Sequence, residues 1–156
     1  MNANENLITR FYTAFQARDA AGMAACYHPE IRFSDAAFPD LHGNEAGAMW
    51  AMLCARGKDL RLEFSKVEAN DSTGSAHWDA YYTFAKTGRK VINRIDASFK
   101  FKDGLILEHK DHFNFARWAR QALGPIGLML GNTRWLQNKV QGEAAKGLRE
   151  FLASSG

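Results

Sequence analysis

Three side chains in this sequence have the types and the spacing for proton chemistry. His109 and Asp111 stand two residues apart in the run LILEHKDHFNF, Leu105 to Phe115, and strand residues two apart share a face. An imidazole beside a carboxyl can orient it or exchange a proton with it. Asp35 ends the alternating stretch Ile31, Phe33, Asp35 and falls on its apolar side. A carboxyl in low-polarity surroundings holds its proton more tightly and is a stronger base. An aspartate that opens the segment DAAFPD can equally cap a turn, and His109 with Asp111 can equally be a buried pair that satisfies only itself.

The elements that must hold these residues follow from periodicity. VINRIDASFKF and LILEHKDHFNF alternate and are joined by Lys102-Asp103-Gly104, the form of a β-hairpin. Alternation places Val91, Asn93, Ile95, Ala97, Phe99 and Phe101 on one side of the first arm. On the second arm it groups Leu105, Leu107, His109, Asp111 and Phe113, so the His–Asp pair is predicted to look into the interior. Ile106, Glu108 and His112 are predicted to look out, as are Arg94 and Asp96. Ahead of the hairpin, Leu7, Ile8, Phe11 and Phe15 fall at helical spacing after Asn4 as cap. Asp19 can cap a second, short helix carrying Met23, Cys26 and Tyr27 and closed by Pro29. Asn44 to Arg56 reads as a third helix, ended by Gly57.

Leu60, Leu62 and Phe64 then alternate towards Val67, a turn follows at Asn70 to Gly74, and Ala76, Trp78, Ala80, Tyr82 and Phe84 alternate again. The strands are predicted to form a meander of antiparallel neighbours. Beyond Phe115 a short helix, a Gly-Pro bend to Gly131 and a final helix over Thr133 to Leu152 are expected. The chain reads as one α+β domain, 1–156, with a core over 1–115 and a helical extension over 116–156.

Composition narrows the function classes. At 156 residues with 46% hydrophobic side chains the chain can bury a real core. Its net charge of +3 comes from 20 bases scattered among 17 acids, which argues against a nucleic-acid surface. Cys26 and Cys54 have no metal or redox spacing and read as reduced thiols of a cytoplasmic protein. No leader is evident, and the longest apolar stretch, around Ala122 to Leu130, is too short to span a bilayer, so no membrane is expected. His109, Asp111 and His112 offer ligand chemistry, but alternation sends His112 to the other face and no metal site is expected. Gly124, Gly127 and Gly131 follow no strand and do not match a phosphate loop.

The stretches FYTAFQARDAAGMAACYHPEIRFSD (Phe11 to Asp35), LHGNEAGAMW (Leu41 to Trp50) and KDGLILEHKDHFNF (Lys102 to Phe115) resemble the nuclear transport factor 2-like superfamily, and within it the SnoaL-like and ketosteroid-isomerase-like proteins. The resemblance implies a cone, or cystatin-like roll: a strongly curved antiparallel sheet around helices, with an apolar pocket at the open end. Members include isomerases, polyketide cyclases, dehydratases, epoxide hydrolases and binding modules, and many are dimers, so the fold does not fix the function. Asp35 occupies the position that resembles the general base of the ketosteroid isomerases. Their oxyanion tyrosine falls at Phe11, beside Tyr12, and their second acid falls near Ala97, beside the outward Asp96. Asp111 with His109 is similar to the acid/base site of SnoaL-like cyclases. The Arg-x-Asp pair of the epoxide hydrolases falls at Trp78-x-Ala80, while Arg94-Ile95-Asp96 lies on the next strand and faces outward.

Trp78, Tyr82, Asn93, Tyr27 and Trp50 are the candidate pocket lining, or plain core. The expectation is a cofactor-independent isomerase, cyclase or dehydratase acting on an apolar ring or polyketide-like molecule in a closed pocket, as a homodimer. The alternatives are a ligand-binding domain without catalysis and a dimeric interaction module.

Overall fold

Asn2, two residues ahead of the expected cap, starts α1 (Ala3–Gln16) in this computed structural model, which describes residues 1–155. Its side chain accepts the Glu5 N–H at 2.8 Å while Glu5 accepts the Asn2 N–H at 3.0 Å, a reciprocal cap that satisfies two otherwise free donors. Leu7, Ile8, Phe11, Tyr12 and Phe15 form the buried stripe of this helix. Helix α2 (Ala20–Ala25) is capped by Asp19 and stops short of Tyr27, which opens strand β1 (Tyr27–Ser34) instead of ending a helix. Pro29 explains the shift: it cannot continue a helix, yet it sits readily in a strand where its missing N–H is not needed.

The remaining strands are β2 (Leu41–His42), β3 (Arg61–Ala69), β4 (Thr73–Phe84), β5 (Arg89–Lys102) and β6 (Leu105–His112), with α3 (Asn44–Arg56) between β2 and β3. They form one sheet in the order β2-β1-β6-β5-β4-β3. The expected meander holds from β3 to β6, whose strands are joined by short turns. Strand β1 departs from it and lies parallel to β6.

The hairpin turn is as expected for Asp-Gly, with φ of 55° at Asp103 and 76° at Gly104, the left-handed pair that a two-residue turn requires. Immediately after it the register slips. Phe101 pairs with Ile106 but Lys100 pairs with Glu108, so Leu107 is an extra residue in a β-bulge. Ile106 is therefore completely buried, correcting the alternation that turned it outward and turned Leu105 and Leu107 inward. The same bulge sets His109 opposite Phe99 and Asp111 opposite Ala97, on the inner face.

After β6 come α4 (Phe115–Leu123), α5 (Pro125–Leu130) and α6 (Arg134–Ser155). The expected Gly-Pro bend is a helix, with Pro125 in its first turn, where a missing N–H costs nothing. Two glycines let it lie against α4. A Cβ on Gly127 would collide with the Ala119 carbonyl, and one on Gly131 would meet Ala116 at 3.2 Å. Gly127→Ala should destabilise the fold by about 2–4 kcal/mol, read as a lower denaturation midpoint.

One core fills the cone between α1, α3 and the sheet; a second gathers Val91, Trp118, Ala119, Ala122 and Leu136 under the extension. Helix α6 runs back over the first core, burying Leu148 there. Gln141 donates to the Ala36 carbonyl at 3.1 Å and Lys86 pairs with Glu143 at 2.9 Å.

Candidate active site

Inside the cone a line of polar groups crosses the aromatic core. The Trp50 indole N–H donates to the Tyr27 hydroxyl at 2.8 Å, and that hydroxyl lies 2.8 Å from His109 Nδ1. His109 Nε2 is 2.9 Å from Asp111 Oδ1, which also accepts the Trp78 indole N–H at 3.3 Å. His109 is 0% and Asp111 5% exposed. The partners assign the tautomer. Tyr27 accepts from Trp50, so its proton goes to Nδ1, and the Nε2–H of a neutral imidazole goes to Asp111. Every polar atom along the line except Asp111 Oδ2 is then paired. Both donors converge on Asp111 Oδ1, and neither reaches Oδ2.

The line is held rigidly by rings. Phe99, Phe33 and Phe11 surround the imidazole with centroids 4.6, 5.0 and 5.4 Å away, and Trp50 stacks on it at 6.0 Å. Burial raises the Tyr27 phenol well above its ordinary range, with the Trp50 hydrogen bond opposing. Tyr12, which the sequence marks only as the neighbour of Phe11, has a buried hydroxyl with no hydrogen-bond partner among the described residues. Burial, and then the charge of Asp111, keep that phenol protonated. Its place four residues after Ile8 on the buried stripe of α1 was the signal that could have found it.

Asp35 follows the last residue of β1 and is half-buried. Its Oδ1 accepts the N–H groups of Ala37 at 2.8 Å and Phe38 at 2.7 Å, so it does cap the turn. Burial pushes its pKa up to about 7 from 3.8; the Phe38 N–H opposes this, the charge of Asp111 adds to it, and the Ala37 N–H opposes it again. Tyr82 accepts the Trp118 indole N–H at 2.7 Å. Its phenol is raised by burial, lowered by that bond and raised by the charge of Asp35. Electrostatics thus links Asp111, Asp35 and Tyr82, while Asn93 is buried on β5 opposite Ala80.

Trp50, Trp78 and Tyr27 are core residues that supply hydrogen bonds to the line. The rings of Phe11, Tyr12, Phe15, Trp50, Trp78 and Phe99 occupy the interior, because 11 Phe and 4 Trp in a chain of this length leave a small cone little room. Cavities of about 560, 540 and 350 Å³ lie elsewhere: between the starts of α4 and α6, on the outer sheet face by Arg32 and Lys110, and beside Asn93 and His112. None of these three is lined by His109, Asp111 or Asp35. Arg94 and Asp96 face outward as expected and pair with β4, Arg94 with Asp79 at 3.5 Å and Asp96 with His77 at 2.8 Å.

A curved six-stranded sheet around helices, with a carboxylate and an imidazole on its inner face, defines a cone-type α+β protein. Residues 8–109 match the model of the SnoaL-like domain, and the chain belongs to that family. The match ends at His109, two residues before Asp111. Comparison with curated proteins finds no match. Among solved structures, the chain is similar to an NTF2-like protein of unknown function from Burkholderia pseudomallei, at 20% identity and a TM-score of 0.66, over 78% of this chain and 98% of that one. A putative polyketide cyclase from Xanthomonas campestris is 22% identical, with a TM-score of 0.60 over 74% and 93%. An LEH-like epoxide hydrolase from M. tuberculosis is 15% identical, with a TM-score of 0.63 over 82% and 93%. At these identities the likeness is one of fold.

Proposed function

We propose that this protein is a small acid/base enzyme, working without a cofactor on an apolar, ring-bearing or polyketide-like molecule by isomerisation, cyclisation or dehydration. The observation that carries the reading is the line Trp50–Tyr27–His109–Asp111. It fixes one oxygen of a buried carboxylate with two donors, leaves the other unbonded, and couples that carboxylate to Asp35. Asp111 is the proton acceptor and His109 its positioning partner. Asp35, protonated below about pH 7, is the acid. Two carboxyls with different environments divide the two roles. Tyr82 and Asn93 are the polar handles. Epoxide hydrolysis is disfavoured, since Trp78 and Ala80 stand where its Arg-x-Asp pair is needed.

Substrate access requires the extension to move. The Gln141–Ala36 and Lys86–Glu143 bonds fasten α6 to the loop after Asp35 and to the segment after β4, and Leu136 and Leu148 anchor it in the two cores, so an opening helix has to release all of these. The ring-filled interior supports a second reading, in which the line only fixes the fold and the domain is not catalytic.

A generic proton-abstraction probe separates the two. In 5-nitrobenzisoxazole a carboxylate removes the ring C–H proton, the carbon–nitrogen bond becomes a nitrile, and the N–O bond breaks to leave a phenolate. The expected result is ring opening about 10²-fold faster than with the same concentration of free acetate. A rate equal to that of acetate selects the second reading.

A further inference from the structure

Helix α5 wears its side chains the wrong way round for a globular protein. Its glycines face α4, where Gly127 lies against Ala119 and Gly131 against Ala116. Its large apolar side chains consequently point outward, with Ile126 58%, Leu128 66% and Met129 80% exposed, and Trp135 at the start of α6 is 59% exposed. Exposed apolar residues grouped like this mark contact surfaces.

The surrounding charge selects the partner. Between Asp111 and Glu143 there is no acidic residue, whereas Arg117, Arg120, Arg134 and Lys139 all lie in that span and are all exposed. These four charges exceed the net +3 of the whole chain; the next acid, Glu143, pairs with Lys86 and also feels the charge of Lys139. Arg89 adds to them: its guanidinium donates to the Gln121 carbonyl at 2.8 Å and lies beside Gly124, where α5 begins. The Lys139 ammonium sits 5.7 Å over the Trp135 ring. A short apolar tip, an indole and a set of bases that outnumbers the acids beside it are the chemistry of the boundary between acyl chains and anionic headgroups. A second copy fits less well, because a two-fold contact would bring like charges together.

We propose that α5 and the first turn of α6 dock on the surface of an anionic lipid bilayer. Among the described residues no helix is long and apolar enough to cross a membrane. Hydropathy alone suggests no membrane partner because it tests for a span, and a surface contact needs only this short face.

The test is co-sedimentation with vesicles of phosphatidylcholine alone or mixed with phosphatidylglycerol. Binding is expected to the mixed vesicles, at least about tenfold weaker to the neutral ones, and weaker as salt rises. Leu128→Ser/Met129→Ser and Arg134→Glu/Lys139→Glu should each lower it at least about tenfold, with unchanged circular dichroism, since all four side chains are exposed. Absence of binding, equal binding to both vesicles, or binding that survives both variants overturns the proposal. So does a dimer in analytical ultracentrifugation that Leu128→Ser/Met129→Ser dissolves while vesicles bind nothing, which assigns the patch to a second copy.

Discussion

Replacing Asp111 by Asn should lower ring opening of 5-nitrobenzisoxazole by about 10²-fold, to the rate of free acetate, as expected for loss of a placed general base. The substitution is informative because it is nearly isosteric and spares the hydrogen bonds. An Asn carbonyl at Oδ1 still accepts the His109 and Trp78 N–H groups, which lie 2.9 and 3.3 Å away. What disappears is the negative charge and the ability to take up a proton. Removing a buried charge without orphaning its partners should leave stability within about 2 kcal/mol of the parent, on either side. A second readout comes from Asp35. The charge of Asp111 is one of the causes that raise its pKa, so Asp111→Asn should move the Asp35 titration to lower pH, measurable by carboxyl NMR. Undiminished ring opening in the variant would remove Asp111 from the mechanism.

How much of this was legible in the residues depends on the distance over which the deciding interaction acts. Local signals sufficed for α3, whose apolar stripe and closing Gly57 delimit Asn44–Arg56 as observed, and for the Asp103-Gly104 turn. They failed at Tyr27, because whether Cys26 and Tyr27 extend a helix or begin a strand is settled by β6, about eighty residues away. The most consequential case is the β6 bulge. Period-two counting forward from Leu105 placed His109 and Asp111 inward. Counting across the hairpin from Phe101 instead makes Ile106 and Glu108 the inward pair. The extra residue at Leu107 reconciles the two, burying Ile106 and then His109 and Asp111. A bulge is a choice between registers, made by what the two faces must bury.

The contents of the cone lay further beyond a one-dimensional reading. Alternation identified Trp78 and Tyr82 as inward, but only the packed arrangement shows that the indoles of Trp50 and Trp78 are aimed at the polar line. The same packing places α6 over the region of Asp35. The Gln141–Ala36 bond is what joins the extension to the loop after Asp35.

Replacing Asp35 by Asn should raise stability at alkaline pH and remove a titration from both folding and activity. The pKa of Asp35 is about 7 in the folded protein against 3.8 for the free side chain. Between those values the folded chain binds a proton that the unfolded chain does not, so stability falls as pH rises through this window. The full shift would correspond to a loss of about 4 kcal/mol above pH 7. Partial exposure of the side chain lets water reduce this, and about 2 kcal/mol is expected. Asn keeps the Oδ1 acceptor for the Ala37 and Phe38 N–H groups but carries no charge. Urea denaturation should therefore find the variant about 2 kcal/mol more stable than the parent at pH 8, with the difference shrinking towards pH 4. In turnover, a parent enzyme that uses protonated Asp35 as its acid loses about tenfold per pH unit above pH 7, and the variant, slower throughout, lacks that limb. Stability curves for parent and variant that run parallel from pH 4 to 8 would mean that Asp35 titrates as an ordinary surface carboxylate. Its part in dividing acid from base would then fall with it.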